Sequence, residues 1–363
     1  MELKLNQENI ASHPLPYERG LLGEIIKNTI NMDGVSDYYF AAGMPPALRE
    51  SEAITPITGF SDDSGLTHED LIEFLDEYSP GHKTNKLPYD FGVTFYGRRL
   101  RCNLDQTWQG LDLTIRLLPR RIKTLKELSL PESLYGLMDK RQGFILICGP
   151  TGSGKSTTLA SLINNVNEKQ AKKIVMLEDP IEYIIPRKNS LIHQREIIAG
   201  SSFLPHLRSA VRQHPDIIVI GEIRDRDTAV MAVQAAETGH LVLATMHTIS
   251  VQQTLMRIAD MLPEDAKNNI LNILSNTLRA IIVQRLIRDD RGNVRAAYEV
   301  CLVDNLIGQL IRTAKYHQIP NQMMLTHGCV SMNESLVSLI RKGYLTFEEA
   351  QKFSYDPDNL QTS

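Results

Sequence analysis

The octapeptide Gly149-Pro150-Thr151-Gly152-Ser153-Gly154-Lys155-Ser156 constrains this 363-residue chain more than any other stretch. It satisfies the spacing G-x-x-x-x-G-K-[ST] at every position. It also stands between an apolar run, FILIC (144–148), and a helix-like run, STTLASLINNV. Strand, loop and helix in that order are what a phosphate-binding loop requires. The glycines let backbone N–H groups close around phosphate oxygens, and Lys155 neutralises β and γ charge. The Ser156 hydroxyl can reach Mg²⁺, and the helix that follows aims its positive end at the anion. The loop residues 149–156 and the neighbouring Thr157 are therefore the candidate binding set for ATP, with Ser156 also a candidate Mg²⁺ ligand.

Three further apolar runs follow, KIVML (173–177), DIIVI (216–220) and LVLAT (241–245), with helix-like stretches between them. This alternation predicts a parallel sheet covered on both faces. Such sheets bind ligand beyond the carboxyl ends of their strands. DIIVI is followed by Gly221 and Glu222, and a carboxylate there can polarise attacking water or hold Mg²⁺ through water. Gly221 occupies the place where an aspartate is usual, so Glu222 alone must serve; a helix-capping glutamate is the competing role. The acids of Glu178-Asp179-Pro180-Ile181-Glu182 fit either a solvated face or a water- and Mg²⁺-ordering role. Of the two histidines flanking LVLAT, His247 lies at the carboxyl end and is the better ligand-site candidate than His240. Beyond Pro263, Ile270, Ile273, Leu274, Leu278, Ile281 and Ile282 recur along one predicted helix face. DDRGN (289–293) signals a hairpin. Ser331-x-x-Glu334 and Thr346-x-x-Glu349 read as capping boxes opening small C-terminal helices.

The first 20 residues are polar and include Pro14 and Pro16, which predicts a mobile arm. Residues 21–118 mix a helical LLGEIIKNTI, a capping box Thr67-His-Glu-Asp70, and the strand-like DYYFAA, DFGVTFYG, RRLRCNL and LDLTIRLL. This is a small α+β domain. Residues 119–124 form a basic linker and residues 125–363 the loop-bearing domain. Arg98, Arg99, Arg101 and Arg116 lie before that domain. They read as ordinary surface arginines unless the protein forms a ring, where an arginine supplied across an interface can stabilise a transferring phosphoryl group.

Composition narrows the alternatives. A net charge of −4 gives no global basic surface, which argues against a nucleic-acid translocase. A nucleotide-binding regulator that does not hydrolyse is disfavoured by intact Lys155, Ser156 and Glu222. The four scattered cysteines include no CxxC pair, so a structural zinc site is not expected and the thiols read as reduced and cytosolic. Without an apolar segment of signal-peptide or spanning length, any membrane association is expected to be peripheral.

Taken together, GPTGSGKSTTLA, LEDPIEY, LRSAVRQHPDIIVIGEIRD and AAETGHLVLATMHT resemble the secretion ATPases of type IV pilus and type II secretion machines. The likeness runs from about Leu21 to Ala350 and is nearest to the pilus retraction (PilT-like) group. VSDYYFAAGMPP, RLRCN and TIRLLP are fainter matches. The resemblance implies a PAS-like α+β N-terminal domain and a RecA-like ATPase domain with C-terminal helices, assembled as a hexameric ring. It implies that Glu222 is the catalytic base, that Glu182 and His247 line the nucleotide site, and that Arg101 and Arg116 are brought to ATP. The implied partners are an inner-membrane platform protein, at whose cytoplasmic face the ring would sit, and a paralogous ATPase. The absence of a tetracysteine insertion and of a long extra N-terminal domain favours retraction over assembly. QMMLTHG (322–328) departs from the family's AIRAG-type motif, and DYYFAA replaces a more usual aliphatic strand.

Overall fold

In a computed structural model of the chain, residues 20–360 are described apart from 52, 58–64, 80–86, 198–200 and 290–291. The arm expected over the first 20 residues lies outside the described residues save Gly20, as does part of the DDRGN signal. The chain divides into two compact units between Arg120 and Arg121.

The first unit is built from α1 (Leu21–Thr29), β1 (Val35–Ala41), β2 (Ala47–Glu50), β3 (Ala53–Pro56), α2 (His68–Tyr78), β4 (Tyr89–Phe95), β5 (Arg98–Thr107) and β6 (Gly110–Leu117). Its sheet has the order β3-β2-β1-β6-β5-β4, with every neighbouring pair antiparallel. Alternation decides which face is covered. Leu100, Cys102 and Leu104 of β5 and Leu113 and Ile115 of β6 are buried with Leu22, Ile25 and Ile26 of α1 and Leu71, Phe74 and Leu75 of α2. Arg101 and Arg116 consequently share the opposite, polar face. The expected box at the start of α2 is present: Thr67 Oγ1 accepts from Asp70 N, and the Asp70 carboxylate accepts from Thr67 N.

The second unit holds β7 (Gly143–Cys148), α3 (Lys155–Lys169), β8 (Lys173–Glu178), β9 (Leu191–Glu196), α4 (Phe203–Val211), β10 (Ile217–Ile220), α5 (Arg226–Glu237), β11 (Leu241–Met246), α6 (Val251–Met261), α7 (Lys267–Thr277), β12 (Leu278–Arg288) and β13 (Val294–Leu302). It closes with α8 (Asn305–Arg312), α9 (Ile319–Met323), α10 (Met332–Arg341) and α11 (Phe347–Gln351). The seven strands run β13-β12-β7-β11-β10-β8-β9, all parallel except the β12–β13 hairpin. Every residue of β7, β10 and β11 is buried, as strands covered by helices on both faces must be. This is the RecA-like α/β architecture. Capping boxes open α10 and α11 at Ser331 and Thr346. No helix among the described residues is long and apolar enough to cross a membrane.

One expectation is corrected. Ile270 and Leu274 do lie on a helix, but α7 ends at Thr277, and Leu278, Ile281 and Ile282 belong to strand β12. A continuous apolar run satisfies both periodicities when both faces are buried. Its β-branched content (Ile281, Ile282, Val283, Ile287) and its pairing with β7 decide for the strand. The hairpin partner β13 and the edge strand β9, whose LIHQRE is polar, carry no comparable signal.

A buried carboxyl links β13 to α6. Glu299 Oε2 accepts from the first amide of α6, Val251 N, at 3.0 Å. Burial pushes the Glu299 pKa up to about 7 from 4.5, only partly offset by that amide and by Arg285. A carboxyl raised in the folded state contributes stability that is full below its unfolded pKa and lost as pH climbs through the folded one. Glu299→Gln keeps an acceptor for Val251 N but cannot ionise. The variant is therefore expected to gain on wild type by ~3 kcal/mol as pH rises through this window. Tm differences at about pH 5 and about pH 8 measure it; a difference independent of pH would remove Glu299 from the titration.

Candidate active site

Strand register brings the candidate residues to one edge. Cys148 pairs with Met246, Ala244 with Ile220, and Ile220 with Leu177. Gly149, His247, Gly221-Glu222 and Glu178-Asp179 therefore leave the sheet at the same end. Gly149 and Gly154 have φ of 146° and 85°, and a Cβ on either would meet Gln284 of β12, at 2.4 Å (backbone O) and 2.7 Å (Nε2). The loop can lie this close to β12 only as glycine. Gly221 answers the missing strand-end aspartate. A Cβ there would stand 2.9 Å from Leu177 O, and its carbonyl accepts from the Thr245 hydroxyl.

Lys155 is buried. Its Nζ donates to Gly149 O at 2.8 Å and Pro150 O at 3.0 Å, and lies 3.5 Å from His247 Nδ1. Burial lowers the Lys155 pKa, while the nearby charges of Glu222 and Glu182 oppose that shift. His247 Nε2 is 3.3 Å from Glu222 Oε1. Arg224 Nε donates to Glu222 Oε2 at 2.7 Å, and its Nη1 to Asp179 Oδ2 at 3.0 Å. A continuous chain, Lys155–His247–Glu222–Arg224–Asp179, thus runs along the strand ends. His240 is at the other end of β11 and bonds to Ala235 O within its own turn.

Ser153 Oγ is buried without a hydrogen-bond partner, beside a lysine folded back onto carbonyls of its own loop. An unpaired buried hydroxyl and a buried ammonium satisfied only locally are what a phosphate-accepting loop offers. The residues present therefore fit a nucleotide triphosphate. Ser156 stands on the first turn of α3 next to Lys155.

Three residues that composition and spacing did not single out complete the site. Tyr183 of the acidic box shares a 2.8 Å hydrogen bond with Thr157. Gln284 accepts from Thr158 Oγ1 at 2.6 Å. Arg224 holds Glu222, and its place two residues after Glu222 was the available signal. Arg101 and Arg116 belong to the first unit, where they are direct cross-strand partners. Arg116 Nε is 2.8 Å from Asp37 Oδ1, and Arg101 Nη2 is 3.6 Å from Asp90 Oδ2.

The profile of the family described as "Type II/IV secretion system protein" matches residues 98–338, and the chain belongs to that family. It is 33% identical to the type IV pilus retraction ATPase PilT of Pseudomonas aeruginosa over 331 residues, covering 90% of this chain and 96% of the relative. It is 39% identical to a twitching motility protein of Neisseria gonorrhoeae over 267 residues, 72% of this chain and 71% of that one. A crystal structure of the pilus retraction motor PilT with bound ADP superposes with a TM-score of 0.85 at 37% identity, covering 94% of this chain and 99% of the other. The enzyme is an ATP hydrolase of the PilT-like branch.

Gln284 tests how the loop is held. Gln284→Ala leaves the Thr158 hydroxyl without its acceptor and opens space beneath Gly154. It should cost ~1–3 kcal/mol of stability and weaken nucleotide binding through the loosened loop. Unchanged Tm and unchanged nucleotide Kd would show that β12 does not brace the loop.

Proposed function

We propose that this chain is the motor of a type IV pilus machine, working as a homo-hexamer whose hydrolysis drives fibre retraction. The observation that carries the reading is the near full-length alignment with the Pseudomonas aeruginosa retraction ATPase, over an unbroken phosphate loop. In this reading the ring sits at the cytoplasmic face of the inner membrane and acts on a membrane platform protein, with a paralogous ATPase as a further partner. Nucleic acid is not a partner.

ATP is the substrate. Its phosphates lie on the backbone N–H groups of residues 152–157, and Lys155 exchanges the Gly149 and Pro150 carbonyls for β- and γ-oxygens. Ser156 and, through water, Glu222 would hold Mg²⁺, which when bound neutralises charge on those oxygens. Glu222 accepts the proton of the water that attacks the γ-phosphorus, while the bond to the bridging oxygen breaks and ADP leaves. Glu182 and His247 order that water and the departing phosphate. Arg224 occupies Glu222 Oε2 at 2.7 Å, so that oxygen becomes free to accept a proton from water once Arg224 lets go.

Arg101 and Arg116 couple chemistry to movement. Their planar guanidinium groups are shaped to bind phosphate oxygens in pairs. A γ-phosphate competes for them with Asp90 and Asp37. Its removal returns them to those carboxylates, and the N-terminal domain swings on residues 119–124. In a ring, each swing displaces a neighbour.

Deletion of the gene tests the direction of work: excess static pili are expected, and bald cells would assign the motor to assembly instead. Arg101→Ala tests the coupling more cleanly than Arg116→Ala, because Asp37 is buried and would lose its nearest cation. Hydrolysis should fall by about 10³-fold with the fold intact. Mixing that variant with Lys155→Ala protein should restore activity through sites shared between subunits. Full activity of Arg101→Ala alone would take the N-terminal domain out of the mechanism.

A further inference from the structure

Two of the four cysteines, Cys102 and Cys148, are buried and distant in sequence from any other thiol. The other two are brought together by a feature outside the nucleotide site. Val300 of β13 and Val330, just before α10, form an isolated antiparallel bridge in which each amide donates to the other's carbonyl, at 2.7 and 2.9 Å. The next opposed position is occupied by Cys301 and Cys329. Next to a doubly bonded pair, an antiparallel ladder brings opposed residues closest, with Cα atoms about 4.5 Å apart, within the range that a disulfide spans.

The side chains obey the same register. Val300 and Val330 pack into the apolar cluster on one face of the sheet, and Cys301 and Cys329 into the cluster on the other. The two thiols hydrogen-bond to each other. Cys329 Sγ additionally lies 3.2 Å from Leu302 N, as acceptor, and 3.6 Å from Leu302 O, as donor. Cys301 is fully buried, whereas Cys329 is half-buried.

We propose that Cys301 and Cys329 form an oxidation site at which a hydroperoxide converts the opposed thiols into a cross-strand disulfide. The two cysteines divide the work. The Cys301 hydrogen bond and the Leu302 amide hold the Cys329 thiol below its ordinary pKa against the effect of burial, while the Cys301 thiol is held well above. Cys329 is also the one that solvent reaches, so it is the attacking thiolate. Its sulfur attacks one peroxide oxygen, the O–O bond breaks, and hydroxide (or alkoxide) leaves, which yields a sulfenic acid. The Cys301 sulfur then displaces that oxygen, the S–S bond forms, and the Cys301 proton leaves with the oxygen as water. Peroxide is the two-electron oxidant, and a dithiol reverses the reaction. The bond would fasten the segment that enters α10, next to the divergent QMMLTHG, onto β13.

The test is a titration of the folded full chain with hydrogen peroxide, followed by denaturation, alkylation and mass spectrometry without reduction. Wild type should pass from four alkylatable thiols to two, with a single cross-linked peptide pair containing Cys301 and Cys329 that dithiothreitol restores. Cys301→Ser should stop at a Cys329 sulfenic acid trapped by dimedone, and Cys329→Ser should give neither product. Retention of all four thiols, a disulfide involving Cys102 or Cys148, or a cross-link only between chains would each overturn the proposal. The wild-type peptide map decides the matter even if a serine variant folds poorly.

Discussion

A buried ammonium governs the architecture around the sheet end. Lys155 must keep its charge to serve phosphate, yet burial drives its pKa down. The protein offsets that cost with two loop carbonyls at 2.8 and 3.0 Å and the negative charge of Glu222 and Glu182. Those carboxylates have to reach the lysine from different strands, β10 and the segment after β8. Only a parallel sheet with strands ending at a common edge delivers them together. The same requirement explains Arg224. Glu222 and Asp179 come from different strand ends, and Arg224 between them, at 2.7 and 3.0 Å, offsets the repulsion of two acids sharing one edge.

What was legible in the sequence follows from how local each signal is. The phosphate loop, the four central strands and the three capping boxes are encoded within a few residues each, and all stand in the structure where the residues placed them. β12 was not legible. Ile281 and Ile282 continue the apolar spacing of α7, and their β-branched neighbours tip the run to a strand only together with pairing to β7, over 130 residues away in sequence. β9 failed for the opposite reason: LIHQRE lies at the sheet edge, so its residues are only half covered and show no apolar run. The site behaved likewise. Glu222 and His247 announce themselves by standing just past apolar strands. Gln284 does not, because its role arises from the close approach of β12 to glycines whose backbone leaves room for nothing larger.

The segment after His247 shows how a small site is tied to a large element. Thr248 Oγ1 shares a 2.6 Å hydrogen bond with Thr254 Oγ1, Ile249 N donates to Gln253 Oε1 at 2.8 Å, and Ser250 Oγ accepts from Gln253 N. Val251 N is held by Glu299 of β13, and the Tyr355 hydroxyl donates to Ile249 O. Tyr355 in turn packs its ring under Arg285 of β12, 5.1 Å from guanidinium carbon to ring centroid. Five successive anchors leave the backbone beyond His247 no independent freedom. A backbone displacement there would break several bonds at about 1 kcal/mol each, including the amide held by the buried Glu299 carboxyl. The imidazole is thereby held between Lys155 and Glu222, at 3.5 and 3.3 Å. Because α10 packs on β13 through Met332, Leu336 and Ala297, the bond from Glu299 also ties the segment after His247 to the C-terminal helices.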